Sequence, residues 1–393
     1  MKTKYLGILL WMAMAPILWG ACQKDALDTD ILPQDTDPQA KPLLSDYFQH
    51  LRIEEMAPVH IGGGQATVKQ LMDQKKLALL THLRDSTWNL GLGKTSFYES
   101  DEMVVTPANL SYIYPGSILQ ASSIATDQFK ILFGYERKPI SARLSFPSSL
   151  AIGTIPAPSL SNSRIFLRDA LMAPDFSGQY IEDFSQTISF FSKYNEVKLA
   201  YGYNVNERRL FSSTNSSFDY SSGSTQYATK LMASYTAKNF TFTMSEPTAG
   251  ELIDLASITP EVFAGLSPVY INSVTYGRFG LLVVETNNNS TQMRSAFEKV
   301  VKKIFKKTTE SFTQEETMLF TSCRVTIYLL GSTMGNSVTQ LLINPDPESI
   351  SNFISDNVGV FTAQDPGVPI SFTAKYLKNN SLFKTVFKLD LPN

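Results

Sequence analysis

Three histidines, two cysteines and one glycine-rich Lys-Thr turn are the residues of this 393-residue chain with the most obvious chemistry in them. His50, His60 and His82 all fall in the N-terminal fifth. None is paired at i, i+4 with an adjacent glutamate, as a zinc-protease helix requires. No cysteine cluster or Asp-rich loop offers a zinc or calcium site. Gly91-Leu92-Gly93-Lys94-Thr95 has the end of a phosphate-loop pattern. The full pattern needs a glycine five places before Gly93, where Trp88 stands, and no strand is expected to lead into it. There is no Gly-x-Ser-x-Gly elbow, and no histidine follows His82 to serve a later serine. The expectation is a protein that is not an enzyme and uses no metal or cofactor.

The two cysteines point elsewhere. Lys2 and Lys4 precede an apolar run from Tyr5 to Trp19 that is too short to span a bilayer, so residues 1–21 read as an export signal. Leu18-Trp19-Gly20-Ala21-Cys22 resembles a lipoprotein signal in which Cys22 becomes the lipid-modified N-terminus. Trp19 departs from the small or aliphatic residue usual at its place, and the alternative is an ordinary secreted chain with Cys22 incidental. Residues 22–43, with Asp25, Asp28, Asp30, Asp35 and Asp37 among prolines, are similar to the acidic tether of Gram-negative surface lipoproteins and also suit a polar linker. The expected location is the outer membrane or cell surface of a Gram-negative bacterium, with release an alternative. Cys323 is then the only free thiol, a small hydrophobe within an apolar strand.

Removing Lys2 and Lys4 from 34 Lys+Arg leaves 32 against 36 Asp+Glu, a mildly acidic chain with no basic tract for nucleic acid. With 43% hydrophobic residues it can bury a large core and divide into subdomains. Beyond the signal, no apolar run reaches the roughly 20 residues of a membrane helix, so a membrane role requires amphipathic strands.

Leu44–Met56 and Thr67–Arg84 read as helices, the second with an apolar face of Leu71, Leu77, Leu80 and Leu83. From Met103 short strands take over, split by proline and glycine. Phe166–Met172, Ile181–Lys193 and Tyr227–Thr236 are compatible with helix, as are turns at Ala249–Ala256 and Pro260–Phe263. Met293–Lys307 is the best helix in the chain, and Cys323–Leu330 and Val338–Ile343 read as strands. Elements are interspersed without a βαβ rhythm or an internal repeat, which makes the fold class α+β.

Two stretches stand out. In Ser267–Glu285, Val269, Ile271 and Val274 are strand formers, Tyr276-Gly277-Arg278 interrupts them, and Leu281–Val284 resumes the apolar run. A glycine there permits a bulge, a bend or a close backbone approach. Tyr201–Ser224 is rich in Ser, Asn and Tyr and reads as a surface excursion, but across its start Val197, Leu199, Tyr201, Tyr203 and Val205 alternate with smaller or polar residues, as a barrel strand facing lipid on one side does. A surface strand with one buried face gives the same alternation. Ile188, Phe190 and Tyr194 continue the two-residue step in the opposite register. By contrast Phe297, Val300, Ile304 and Phe305 follow helical spacing opposite Lys299, Lys302, Lys303, Lys306 and Lys307. Those lysines suit a solvated face or pairing with acidic neighbours.

The Tyr276-Gly277-Arg278 strand resembles the central-sheet signature of the cholesterol-dependent, or thiol-activated, cytolysins. Two further segments resemble that family in the same order. They are Ile113-Tyr114-Pro115-Gly116-Ser117-Ile118-Leu119 and Asp365-Pro366-Gly367-Val368-Pro369-Ile370 running into Lys375-Tyr376-Leu377-Lys378-Asn379. The likeness covers about Leu44 to Leu391. It implies a MACPF/CDC-like fold: a bent central antiparallel sheet, two flanking helical clusters near 187–225 and 287–320 that can become β-hairpins, and an elongated second domain. The implied divisions are 44–186 for the N-terminal and central-sheet region, 187–345 for the pore-forming core, and 346–393 for the return strands. Tyr276, Gly277 and Arg278 would form the core-strand bend and Gly331 a hinge. Val197, Leu199, Tyr201, Tyr203 and Val205 would face the membrane, and Phe297, Val300, Ile304 and Phe305 would form a second inserting cluster. Where the family has a glycine pair, this chain has Leu329-Leu330-Gly331-Ser332, and only Gly331 fits.

The resemblance stops at Asn393, where the family's C-terminal membrane-binding domain would begin, so a short form without direct cholesterol recognition is expected. It implies a pore-forming component that assembles as a β-barrel ring on membrane lipids. The oligomer would be of one chain or of this chain with a longer cytolysin-like protein, after proteolysis in a loop such as Ser212–Ser224. Alternatives are a non-lytic surface lipoprotein for adhesion or glycan binding, and a regulatory or immunity partner of a toxin.

Overall fold

β-Branched and aromatic residues dominate the stretch Pro268–Thr286, and it forms one 19-residue strand around which the rest of the chain is arranged. The computed structural model describes residues 48, 51–61, 80–124, 126, 128–176, 183–191, 227–247, 252–258, 262–263, 265–288, 290–306, 311–332, 335–358 and 361–392. All lie within one compact unit, Pro42–Asn393.

In chain order the strands are β1 (Val59–Ile61), β2 (Thr81–Thr87), β3 (Gly93–Ser100), β4 (Glu102–Val104), β5 (Ile118–Gln120), β6 (Glu136–Arg137), β7 (Ile140–Leu144), β8 (Ile152–Ile155), β9 (Asp183–Phe190), β10 (Thr229–Met244), β11 (Ile253–Asp254), β12 (Pro268–Thr286), β13 (Arg324–Ser332), β14 (Gly335–Ile343), β15 (Val368–Tyr376) and β16 (Thr385–Pro392). The helices that matter are α1 (Leu160–Leu171), α2 (Ser290–Lys306), α3 (Gln314–Phe320) and α4 (Pro347–Val358). The architecture is α+β. A ten-stranded sheet follows the order β14-β13-β12-β10-β7-β8 with β4, β5, β9 and β15 as branches, and a four-stranded sheet follows the order β1-β16-β3-β2.

The branches carry the main point. One edge of β12 pairs with β15 from Val269 to Gly277 and with β13 from Phe279 to Glu285. The other edge runs along β10 from Ser273 to Thr286. The far edge of β10 changes neighbour at nearly the same level, from β9 up to Lys238 to β7 from Phe242. The sheet therefore has two halves joined by β10 and β12.

Each half has its own core. Tyr276, Phe240 and Phe146 continue as an aromatic column below the junction, with Tyr276 stacked on Phe240 at 4.9 Å and Phe146 edge-on to Phe240 at 5.0 Å. Above it, Leu231, Leu282, Val284 and Ile327 take Met293, Phe297, Val300 and Val301 of α2 on one face. Met232, Phe279, Leu281, Val283 and Tyr328 are buried on the other.

Several local readings change. Ile181–Lys193 contains β9, and Tyr227–Thr236 is the start of β10, not helix. A strand covered on both faces buries consecutive residues, as Leu231, Met232 and Ala233 are buried here, and loses the alternation that distinguishes it from helix. Thr81–Arg84 belongs to β2, and 51–56 are not helical. At Ala249–Ala256 the described part is β11 and the start of the 3-10 turn Leu255–Ser257. A strand, β2, does lead into Gly91–Thr95, but Lys94 and Thr95 lie in β3 and no helix follows. Lys94 Nζ is held by Asp85 at 2.6 Å, and Thr95 Oγ1 donates to Asp390 at 2.7 Å. That excludes a phosphate cradle at this turn.

Candidate functional site: the junction in the central sheet

Gly277 lies where β12 exchanges β15 for β13. A Cβ on Gly277 would sit 2.0 Å from the Ala237 carbonyl oxygen of β10, so the two long strands approach there more closely than any side chain allows. The register opposite shifts between Lys238 and Phe240, which leaves Asn239 as a bulge. Its buried amide Nδ2 donates to the Pro366 carbonyl at 3.0 Å.

Arg278 fills the junction. It is 1% exposed. Its Nε donates to the Gly331 carbonyl at 3.0 Å, its Nη2 meets Asp365 Oδ2 at 2.6 Å, and its guanidinium lies 4.4 Å over the Phe361 ring. A fully desolvated arginine is tolerable only when its donors are used, and these contacts tie β12 to β13 and to the loop before β15. Gly331, at φ +80, and Gly367, at φ +85, close on the same peptide: Cβ atoms there would lie 2.8 and 2.5 Å from the Gly277 oxygen. Burial pushes the Tyr276 phenol up to about 12, so it stays neutral within the aromatic column.

The three segments quoted from the sequence thus meet on β12. Gly116 N donates to the Ile271 carbonyl at 2.8 Å, and Ile271 N returns a bond to Ser117 O at 2.9 Å. Asp365–Val368 wraps Gly277 and Arg278. Asn239 and Phe361 were not legible as parts of this site. A polar residue inside a buried strand was the only signal for Asn239; Asp365 stood in the third quoted segment, but only the demand of a buried arginine for a carboxylate could have paired it with Arg278.

Tyr235 and Gly280 form a second close approach, with the ring 1.8 Å from where a Gly280 Cβ would stand. Beside them, β13 ends in a hairpin with β14, pairing from Arg324↔Ile343 to Ser332↔Gly335, so β14 covers the β13 edge, and Gly331 precedes the turn.

Phe297 and Val300 are fully buried under α2. Ile304 and Phe305 fall within its span. Two of its lysines are paired: Lys299 with Glu316 of α3 at 2.8 Å and Lys303 with Glu348 of α4 at 2.6 Å. Burial raises the Glu316 carboxyl, but bonds from Lys299 and the Thr313 amide outweigh it and hold the group below its ordinary value. Cys323 is buried against Met293, and burial pushes its thiol up to about 11. In β9, Ile188 and Phe190 face this same core. Val197, Leu199, Tyr201, Tyr203 and Val205 lie outside the described residues, as do Cys22, the export signal, the tether and the Ser212–Ser224 loop. No group of His, Cys, Asp or Glu among the described residues could hold a metal ion.

A long central strand that changes neighbours at Gly277 and Arg278, an edge covered by β14 and a packed amphipathic helix lead, on comparison with known proteins, to one class. The family model for thiol-activated cytolysins matches residues 93–388. The chain belongs to the thiol-activated cytolysin family, a family of cytolysins and not of enzymes. It is similar to tetanolysin of Clostridium tetani, 26% identical over 281 residues, covering 68% of this chain and 51% of tetanolysin. It is also similar to pneumolysin of Streptococcus pneumoniae, 23% identical over 299 residues, covering 72% of this chain and 60% of pneumolysin. The chain therefore spans about half to three fifths of these relatives' length. The fold is shared with wild-type pneumolysin (TM-score 0.63, 18% identity, 88% of this chain and 73% of that one) and with listeriolysin O (TM-score 0.59, 16% identity, 88% and 71%).

Proposed function

We propose that this protein is a pore-forming component that assembles into a ring on a membrane and contributes strands to a β-barrel. The observation that carries the reading is the covered edge. β14 occupies the hydrogen-bonding edge of β13, and an exposed β13 would offer a neighbouring chain a row of unpaired backbone groups. Gly331, in the left-handed region one residue before β13 ends, supplies a hinge about which β14 swings away. Tyr276-Gly277-Arg278 supplies the bend that lets the upper half of the sheet change its angle.

Release of α2 is the costly step. Extracting Met293, Phe297, Val300 and Val301 from the core costs on the order of 10 kcal/mol. The ion pairs Lys299–Glu316 and Lys303–Glu348 oppose it further. Such a step needs a trigger, which fits activation by proteolysis and by a longer cytolysin-like partner, with Cys22 anchoring the precursor at a Gram-negative surface. In the barrel, Val197, Leu199, Tyr201, Tyr203 and Val205 face lipid, and the segment holding Phe297, Val300, Ile304 and Phe305 forms the second hairpin.

A second reading is a non-lytic surface lipoprotein for adhesion or glycan binding. It is favoured by Leu330, which stands where the family has a glycine and is buried against Phe279 and Tyr328, stiffening the hinge. Dye release from liposomes separates the two, measured before and after limited trypsin, alone and with a longer relative, with negative-stain imaging. Release accompanied by rings supports the pore-former. Neither under any condition leaves the non-lytic reading.

A further inference from the structure

The hairpin between β2 and β3 carries a feature that neither the core nor the bend uses. Its tip, Trp88 to Gly93, is closed by a bond from Trp88 N to the Gly93 carbonyl at 2.8 Å. Leu90 stands there 93% exposed and Leu92 63% exposed. Leu90 also holds φ 63 and ψ 16, a left-handed conformation that glycine or asparagine takes readily and a leucine resists. A side chain that packs on nothing and strains its own backbone is poorly explained by folding; strain of this kind collects where a surface is used. Trp88 sits at the base of the tip, half-buried, with its indole N–H already donated to Thr95 Oγ1 at 2.8 Å.

We infer that the tip of this hairpin, Leu90 and Leu92 with the Trp88 ring behind them, is a lipid-contact point that enters the outer boundary of a bilayer. The inference rests on the membrane part of the proposed function and not on pore formation. The shape selects the partner. The tip is convex, and two leucines projecting from a turn suit a fluid apolar phase, whereas a protein partner would have to supply a socket. The depth order agrees: apolar side chains come first, then an amphipathic indole of the type that collects at membrane boundaries. A polar band follows, one to three strand positions back, or about 3–10 Å. In it Asp85 holds Lys94 at 2.6 Å, and Asp390 takes the Thr95 hydroxyl and the His60 ring at 2.7 and 2.6 Å. These groups suit the headgroup layer. The tip is also at the end of its sheet, since β3 begins at Gly93 opposite Pro392 of β16.

The test uses the full chain carrying Trp11→Phe and Trp19→Phe, which leaves Trp88 as the sole indole. Phosphatidylcholine vesicles, with and without cholesterol, are titrated while Trp88 emission and co-flotation are recorded. A blue shift of Trp88, quenching by brominated lipid and at least a tenfold loss of lipid affinity in Leu90→Asn/Leu92→Ser are expected. Leu90→Asn suits the left-handed backbone, so thermal stability should be kept or raised and misfolding cannot mimic the loss. An unmoved Trp88 spectrum in protein that floats with vesicles overturns the proposal. So does unchanged affinity in the double variant, and so does absence of flotation. A Trp88 shift without dye release supports the tip contact while counting against the pore.

Discussion

Replacing Arg278 with leucine keeps the apolar stem that fills the junction and removes every contact of the guanidinium. The charge-assisted bond to the Gly331 carbonyl is worth about 1.5–3 kcal/mol. The desolvated stack on Phe361 adds about 1–2 kcal/mol. The pair with Asp365 adds about 0–1 kcal/mol, because that carboxylate is 42% exposed and regains water. The expected loss is about 2.5–6 kcal/mol, or about 3–8 °C in Tm for a unit of this size. Differential scanning calorimetry measures it, and Asp365→Asn is the control, expected to cost less than about 1 kcal/mol. In a liposome assay the variant should also need less trypsin for activation, since the tie between β12 and the β13–β14 hairpin is gone. A Tm shift under 1 °C would refute the clamp. An Asp365→Asn loss as large as that of Arg278→Leu would put the energy in the exposed ion pair and refute the assignment to Gly331 and Phe361.

Gly331→Ala places a Cβ 2.8 Å from the Gly277 oxygen at φ +80, and a loss of about 2–4 kcal/mol is expected in urea unfolding. Phe297→Ala empties the fully buried site under α2 and should cost about 3–5 kcal/mol, while lowering the barrier to helix release in a dye-leakage time course. The Cys323 thiol, raised to about 11 by burial, should resist a thiol reagent at pH 8 until the chain unfolds. Its stabilising contribution is complete below the unfolded value and is lost as pH rises through about 11. Glu316 has the opposite sign: its folded pKa is depressed, so its contribution is present above the ordinary carboxylate range and lost as pH falls through the folded value. Glu316→Gln should therefore flatten the acid side of a Tm-versus-pH curve.

What was legible in the sequence followed from local chemistry. Tyr276-Gly277-Arg278 announced an interrupted strand because a glycine between β-formers has few other uses, and α2 was visible because Phe297, Val300, Ile304 and Phe305 fall at helical spacing. β9 and β10 were missed for a physical reason. Leu231, Met232 and Ala233 are buried by neighbours on both faces, and those neighbours come from α2 and from residues far along the chain. The Arg278 site was half legible: the arginine stood in the motif, but its ties to Gly331, Phe361 and Asp365 span 53 and more positions of sequence. Leu92 read only as part of a phosphate-loop look-alike and Leu90 carried no signal, because exposure and a left-handed backbone are properties of the folded hairpin only.

The exchange of neighbours on both sides of the central strands has a mechanical consequence. Among the described residues, only β10 and β12 cross the level of Gly277, and each is weakened there, one by the bulge at Asn239 and the other by the glycine. A two-stranded ribbon twists more freely than a broad sheet. Torque applied to the upper half of the sheet, by a docking neighbour or a departing helix, is therefore concentrated in a few peptide units. Under the proposed function this crossing serves as a torsion joint, and the buried guanidinium is the pin that keeps it from turning early.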